Sequence, residues 1–167
     1  MPPYEAPCPT TTAETPDLHQ EEFFTMSAQE FAARIRGRER ILGYWSVIDS
    51  PVSTEWIAHV GWDYIALDMQ HGLIGYSGMV AGLTAIDSSP STVGMVRVEA
   101  NNPTPIGRAL DAGAVGVIVP LINNAEEAAA AVAAAKYPPF GIRSYGPCAL
   151  NSVSAQFPPT RTATPLY

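Results

Sequence analysis

Apolar residues recur along this chain in short runs at regular intervals, each followed by a polar segment with a helical start. ILGYWSVI (41–48), WDYIALD (62–68), TVGMVRV (92–98) and AVGVIVPLI (114–122) each read as a strand. Between them, Ser50-Pro51 opens a helix to His59, with Pro51 suited to a first turn; further helices run from Ser77 to Ile86 and from Thr104 to Asp111, the latter ended near Gly113. AEEAAAAVAAAK (125–136) is the plainest helix of all, since alanine and glutamate carry the lowest helical cost. One more helix precedes the alternation, SAQEFAARIR (27–36), where Ser27 and Glu30 form a capping box and Gly37 ends the run.

Strands such as VGVIV are apolar on both faces, which suits a parallel sheet covered by helices. Four successive βα units give an α/β class with parallel strands. Strand starts near 41, 62, 92 and 114 match the size of the units in a (β/α)8 TIM barrel, which takes roughly 250 residues in all. The expected fold is therefore a partial (β/α)8 barrel of about four units, with residues 26–150 as its N-terminal half. The Pro-, Thr- and Glu-rich residues 1–25 are expected to be a disordered tail, and the polar, proline-bearing residues 151–167 an irregular one. A half-barrel leaves two sheet edges and its inner face open, a surface that another chain or domain must cover. The chain as written is expected to be incomplete.

Composition narrows the function classes. The formal net charge of −7 disfavours a phosphate backbone, so nucleic acid is not an expected partner. The one basic cluster, Arg34, Arg36, Arg38 and Arg40, lacks an aromatic platform and reads as a solvated helix end. Cys8 and Cys148 have neither a disulfide framework nor zinc-ligand spacing, and no apolar run approaches the ~20 residues of a membrane span. With no signal-peptide pattern either, a cytoplasmic protein without a membrane partner is the expectation.

Barrel chemistry sits at the C-terminal ends of strands and in the loops that follow. Asp68 ends the second strand, His71 follows in its loop, Arg97 lies near the end of the third strand, and Asp111 ends the next helix. By spacing alone each has a structural reading: a turn aspartate beside a surface histidine, an ion-paired arginine, a helix terminus. His59 fits a helix end, where a cation complements the dipole; His19 falls in the tail; Arg143 fits a loop-shaping role. Tyr44, Trp45 and Trp56 are expected to pack at the barrel's edge.

Three segments change that balance. GWDYIALDMQHG (61–72), VRVEANNPTPIGRALDAGAVGVIVPLINNAEEA (96–128) and KYPPFGIRSYGP (136–147) resemble, in this order, signatures of the HpcH/HpaI aldolases, pyruvate-dependent class II enzymes that include the macrophomate synthase branch. The resemblance covers about residues 40–150, with Gln70 where part of the family has glutamate. It implies a barrel of the phosphoenolpyruvate/pyruvate-binding type and a carbon–carbon lyase acting on pyruvate or another small 2-oxo acid plus an aldehyde, through an enolate, in a homo-oligomer. A divalent metal (Mg²⁺, Mn²⁺ or Co²⁺) is implied as Lewis acid. By position, His71 is implied as general acid/base, Asp111 as its partner, and Arg97 as the group that binds substrate and holds the enolate oxygen. Asp68 and Gln70 are implied as the shell around them, Asp68 orienting His71 or metal-bound water.

The family's glutamate and aspartate metal ligands belong to strands five and six, beyond this chain, and no acid follows Glu127. No metal ligand is therefore assigned here, and this chain alone is expected to hold a metal poorly and to be inactive. The alternative is a non-catalytic half-barrel that binds a partner or a 2-oxo acid without turnover, or an incomplete gene product.

Overall fold

The computed structural model describes residues 26–146. The two tails, His19 and both cysteines lie outside that range. Nine elements alternate through it: α1 (Ala28–Arg36), β1 (Gly43–Ser46), α2 (Pro51–Ala58), β2 (Tyr64–Asp68), α3 (Tyr76–Ile86), β3 (Val93–Arg97), α4 (Pro103–Asp111), β4 (Gly116–Ile118) and α5 (Ala125–Ala135). The strands form one parallel sheet in the order β1-β2-β3-β4, so each crossover advances by one strand. This is a partial α/β barrel.

Helix starts follow the expected chemistry. Ser27 Oγ accepts from the Glu30 N–H while the Glu30 carboxylate accepts from the Ser27 N–H, a reciprocal capping box. Ser50, Asn102 and Asn124 cap α2, α4 and α5 with their side-chain oxygens, and proline occupies the first turn of α2 and of α4. Only α3 starts without a side-chain cap, one residue earlier than Ser77, behind Gly75. The turn between α4 and β4 needs Gly113 at φ 101°, a conformation costly for a residue with a Cβ.

The outer strands are shorter than their apolar runs. β1 keeps four residues of the expected eight in 41–48, and β4 three of the nine in 114–122. Each has a single neighbour, so fewer of its backbone groups find ladder partners. The central strands β2 and β3 match their expected limits to within two residues.

Period-two alternation splits the sheet into two faces. Ile65, Leu67, Val96 and Val98 point to the helices and are fully buried with Met79, Leu83 and Ile86 of α3 and Ile106 of α4. Each such side chain contributes about 1.5–3 kcal/mol by leaving water. Glycine permits the closest approaches in this layer: a Cβ on Gly94 would lie 2.5 Å from Leu83 Cδ2. The register Trp45↔Ala66↔Met95↔Gly116, followed by Asp68↔Arg97↔Ile118, defines the opposite face, the inner face of the barrel. Helix α1 lies across the N-terminal ends of the strands: Phe31 packs edge-on against Tyr64 at 6.0 Å, and Met26 N–H donates to Pro90 O. Its Arg34 departs from the solvated cluster expected, pairing with Asp63 at 2.8 Å and Glu39 at 3.0 Å. Glu39 is five residues away in the same cluster, but Asp63, at the start of the sheet, is out of sight of a local pattern.

Candidate functional site

At the C-terminal end of the two central strands, Asp68 and Arg97 are register partners, so their side chains leave the sheet side by side on its inner face. Arg97 Nε donates to Asp68 Oδ1 at 2.8 Å and Arg97 Nη2 donates to Oδ2, a bidentate pair. Asp68 is 1% exposed, and it also accepts the backbone N–H groups of Gln70 and His71 on Oδ1 and the Trp45 indole N–H on Oδ2. Five donors thus converge on one buried carboxylate. The Arg97 guanidinium, reinforced by the other donors, holds the Asp68 carboxyl well below the usual carboxylate range even though burial opposes it. Asp68 in turn raises the Arg97 pKa above its ordinary value. Neither group changes charge near neutrality.

Asp68 therefore does two structural tasks. It fixes the arginine, and through the Gln70 and His71 N–H groups it ties down the start of the loop that carries the histidine. The His71 ring itself is exposed at that loop, and Gln70 is half-buried beside it. Gly72 completes the turn by close approach: a Cβ there would lie 2.2 Å from Asp68 O, and Leu73 N–H returns to Val47 O at 2.7 Å. Asp68, His71 and Arg97 thus share one end of the sheet. Arg97 Nη1 has no acceptor among the described residues, which leaves it available to an anion.

Asp111 stands elsewhere. Helix α4 runs back along the sheet from the end of β3, so its last residue reaches the N-terminal end of the strands. Next to it, Val115 N–H joins Gly94 O at 2.8 Å to start β4. There Asp111 accepts from Arg143 Nη2 at 2.6 Å, and Arg143 lies over the Tyr137 ring at 4.7 Å. Among the described residues no ion pair joins His71 to Asp111. Arg143 does shape its loop, since its N–H also returns to Lys136 O at 3.0 Å. His59 caps α2 and its Nε2 meets Ser88 Oγ at 3.1 Å.

Trp45 is the site residue that nothing in the local pattern singles out. Expected at the barrel's edge, it lies on β1 with its N–H on Asp68 and its ring under Arg97 Cζ at 5.0 Å. A cleft of about 470 Å³ opens nearby between α3 and α4, walled by Met69, Tyr76, Met79, Glu99, Asn102 and Arg108 among others, with the Arg108 guanidinium 3.6 Å over the Tyr76 ring. Asp68, His71 and Arg97 do not wall it.

Residues 41–164 match the HpcH/HpaI aldolase/citrate lyase family. The chain belongs to that family. It is 39% identical over 114 residues to 5-keto-4-deoxy-D-glucarate aldolase of Enterobacter sp. (strain 638), a match that covers 68% of this chain and 44% of the relative. Among solved structures, an HpcH/HpaI family protein from Burkholderia cenocepacia J2315 superposes with a TM-score of 0.65 at 33% identity, covering 68% of this chain and 47% of that one. Macrophomate synthase shares the fold at a TM-score of 0.65 and 24% identity, over 83% of this chain and 50% of its own. The chain spans less than half the length of the curated relatives it matches.

The described residues of this HpcH/HpaI chain do not fit a divalent metal. No three His, Cys, Asp or Glu side chains gather among them. The one strand-end carboxylate of the site, Asp68, already accepts five N–H donors, whereas such ions take several free oxygen ligands. No described helix is long and apolar enough to cross a membrane.

Proposed function

We propose that this protein contributes to a carbon–carbon lyase of the aldolase type, cleaving a 4-hydroxy-2-oxo acid to a 2-oxo acid and an aldehyde. The observation that carries the reading is Arg97: a cation on the inner face at the catalytic end of a barrel strand, clamped by Asp68, with Nη1 still able to donate. In cleavage His71 takes the proton of the C4 hydroxyl, the C3–C4 bond breaks, and its electron pair moves through C2 onto the 2-oxo oxygen. The resulting enolate is then protonated at C3 by His71, which gives up the proton it took, to yield the 2-oxo acid while the aldehyde departs. Arg97 stabilises the oxygen on which charge develops, and because Asp68 holds it in place beforehand, little reorganisation is needed as the charge forms. A histidine suits the proton transfer because imidazole gains and loses a proton near neutral pH. Membership of the HpcH/HpaI aldolase/citrate lyase family and similarity to 5-keto-4-deoxy-D-glucarate aldolase support this class of reaction.

A second reading is binding of a 2-oxo acid without turnover, favoured by the lack of a metal-ligand cluster among the described residues. One experiment separates the two. The full chain is incubated with pyruvate in deuterium oxide, with Mg²⁺ or Mn²⁺ supplied, and deuterium entry into the methyl group is followed by proton NMR. The lyase reading expects exchange above the metal-and-buffer rate, reduced at least ~10²-fold in Arg97→Gln, the scale for loss of one oxyanion donor, and reduced also in His71→Asn. Pyruvate binding without exchange would favour the second reading, and exchange unaffected by Arg97→Gln would overturn both roles given to the arginine.

A further inference from the structure

We propose that Trp45 is a positioning residue that fixes the Arg97 guanidinium for its anion. The inference rests on the role given to Arg97 above, and it stands on the geometry of three adjacent strands. Arg97 is held along one edge by the Asp68 carboxylate. Its Cζ also lies over the Trp45 ring, 5.0 Å from the centroid. The same indole donates Nε1–H to Asp68 Oδ2 at 3.1 Å, the oxygen that Arg97 Nη2 also reaches.

The division of donors on Asp68 explains what the indole adds. Oδ1 is pinned by two backbone N–H groups, of Gln70 and His71, besides Arg97 Nε. Oδ2 has only Arg97 and Trp45. Without the indole, the carboxylate and guanidinium could swing together about Oδ1. With it, the pair is held at both oxygens and the guanidinium is held over the indole ring, so Nη1 keeps one direction. An aromatic that merely covered an outer strand would need neither contact. Trp45 remains 42% exposed, so burial alone does not account for its orientation.

Nitrogen-15 NMR of the full chain tests this without relying on turnover. The Arg97 Nε–H resonance, assigned by its absence in Arg97→Lys, is expected to be visible at neutral pH and to exchange slowly with water. In Trp45→Leu, which removes ring and donor, it shifts and exchanges about 10-fold faster or more, the equilibrium expected for losing a hydrogen bond and a cation–π contact together. In Trp45→Phe, which keeps a ring without the N–H, the change is intermediate. The backbone amide of Leu67, whose side chain is buried on the other face, is followed alongside and stays within about 2-fold, which a general loss of stability would not allow. Should Trp45→Leu fail to fold, Trp45→Phe decides alone. An Arg97 signal unchanged in the folded variants, or one already in fast exchange in the natural protein, overturns the proposal. Pyruvate titration of the same samples then separates the two ideas: affinity is expected to fall in Trp45→Leu and to be lost in Arg97→Gln. If Arg97→Gln binds pyruvate normally while the NMR changes occur, Trp45 does position Arg97 and it is the reading of Arg97 as the anion's holder that fails.

Discussion

Replacing Asp68 by alanine tests the centre of the site most directly, because one substitution removes five hydrogen bonds. The carboxylate is 1% exposed, and its loss leaves Arg97, the Trp45 indole N–H and two backbone N–H groups without their acceptor. Removing one partner of a buried ion pair typically costs about 3–5 kcal/mol. The Arg97 side chain is 21% exposed and can recover some hydration, so the lower end, about 3 kcal/mol, is expected. Urea unfolding followed by tryptophan fluorescence at neutral pH would show a midpoint lowered by about 1.5 M, at a slope of ~2 kcal/mol per M. A cycle with Arg97→Ala should give a coupling of about 2 kcal/mol between the two side chains.

The pH dependence supplies an independent check on the same pair. The folded-state pKa of Asp68 is depressed, so its contribution is fully present above the unfolded value near 3.9 and is lost as pH falls through the lower folded value. The gap between natural protein and Asp68→Asn should therefore stay constant from about pH 8 to 5 and narrow below about 4. A destabilisation under about 1 kcal/mol in Asp68→Ala, or a gap that opens near neutrality, would refute the account of Asp68 as a buried, ionised anchor.

Three other substitutions probe the scaffold around the site. Gly72→Ala places a methyl group 2.2 Å from a backbone oxygen that cannot swing away, so a loss of about 2–3 kcal/mol and a displaced His71 loop are expected, read by urea unfolding and by the His71 ring signals in NMR. Thr92→Val removes a hydroxyl positioned at 2.8 Å from both Ala58 O and Trp62 O in a buried setting, and should cost about 1–3 kcal/mol in the same denaturation assay. Ser27→Ala breaks the capping box of α1 and should cost about 1 kcal/mol, with fraying at residues 28–30 visible as faster amide exchange.

Much of this protein was legible along the chain, because its elements depend on local rules. Capping residues, first-turn prolines and apolar runs indicate all nine elements without reference to distant residues, although α3 and α4 each start one residue earlier than the pattern places them. Strand alternation also indicates that Asp68 and Arg97 leave neighbouring strands at the same end. The outer strands were overestimated because strand length depends on having partners on both sides, which no run of residues encodes.

What the tertiary structure alone decided is which charged groups meet. A local pattern cannot tell that Asp68 is saturated by Arg97 and Trp45, since those contacts join residues 29 and 23 positions apart. Nor can it tell that Asp111 faces Arg143, a pairing made when α4 carries the chain back along the sheet and the segment after α5 returns beneath it. Secondary structure follows from backbone hydrogen bonding and side-chain propensity over a few residues. The electrostatics of a site follow from distance and burial in three dimensions, so here the sequence placed the elements in order and the tertiary fold decided how far the outer strands run and which charges meet.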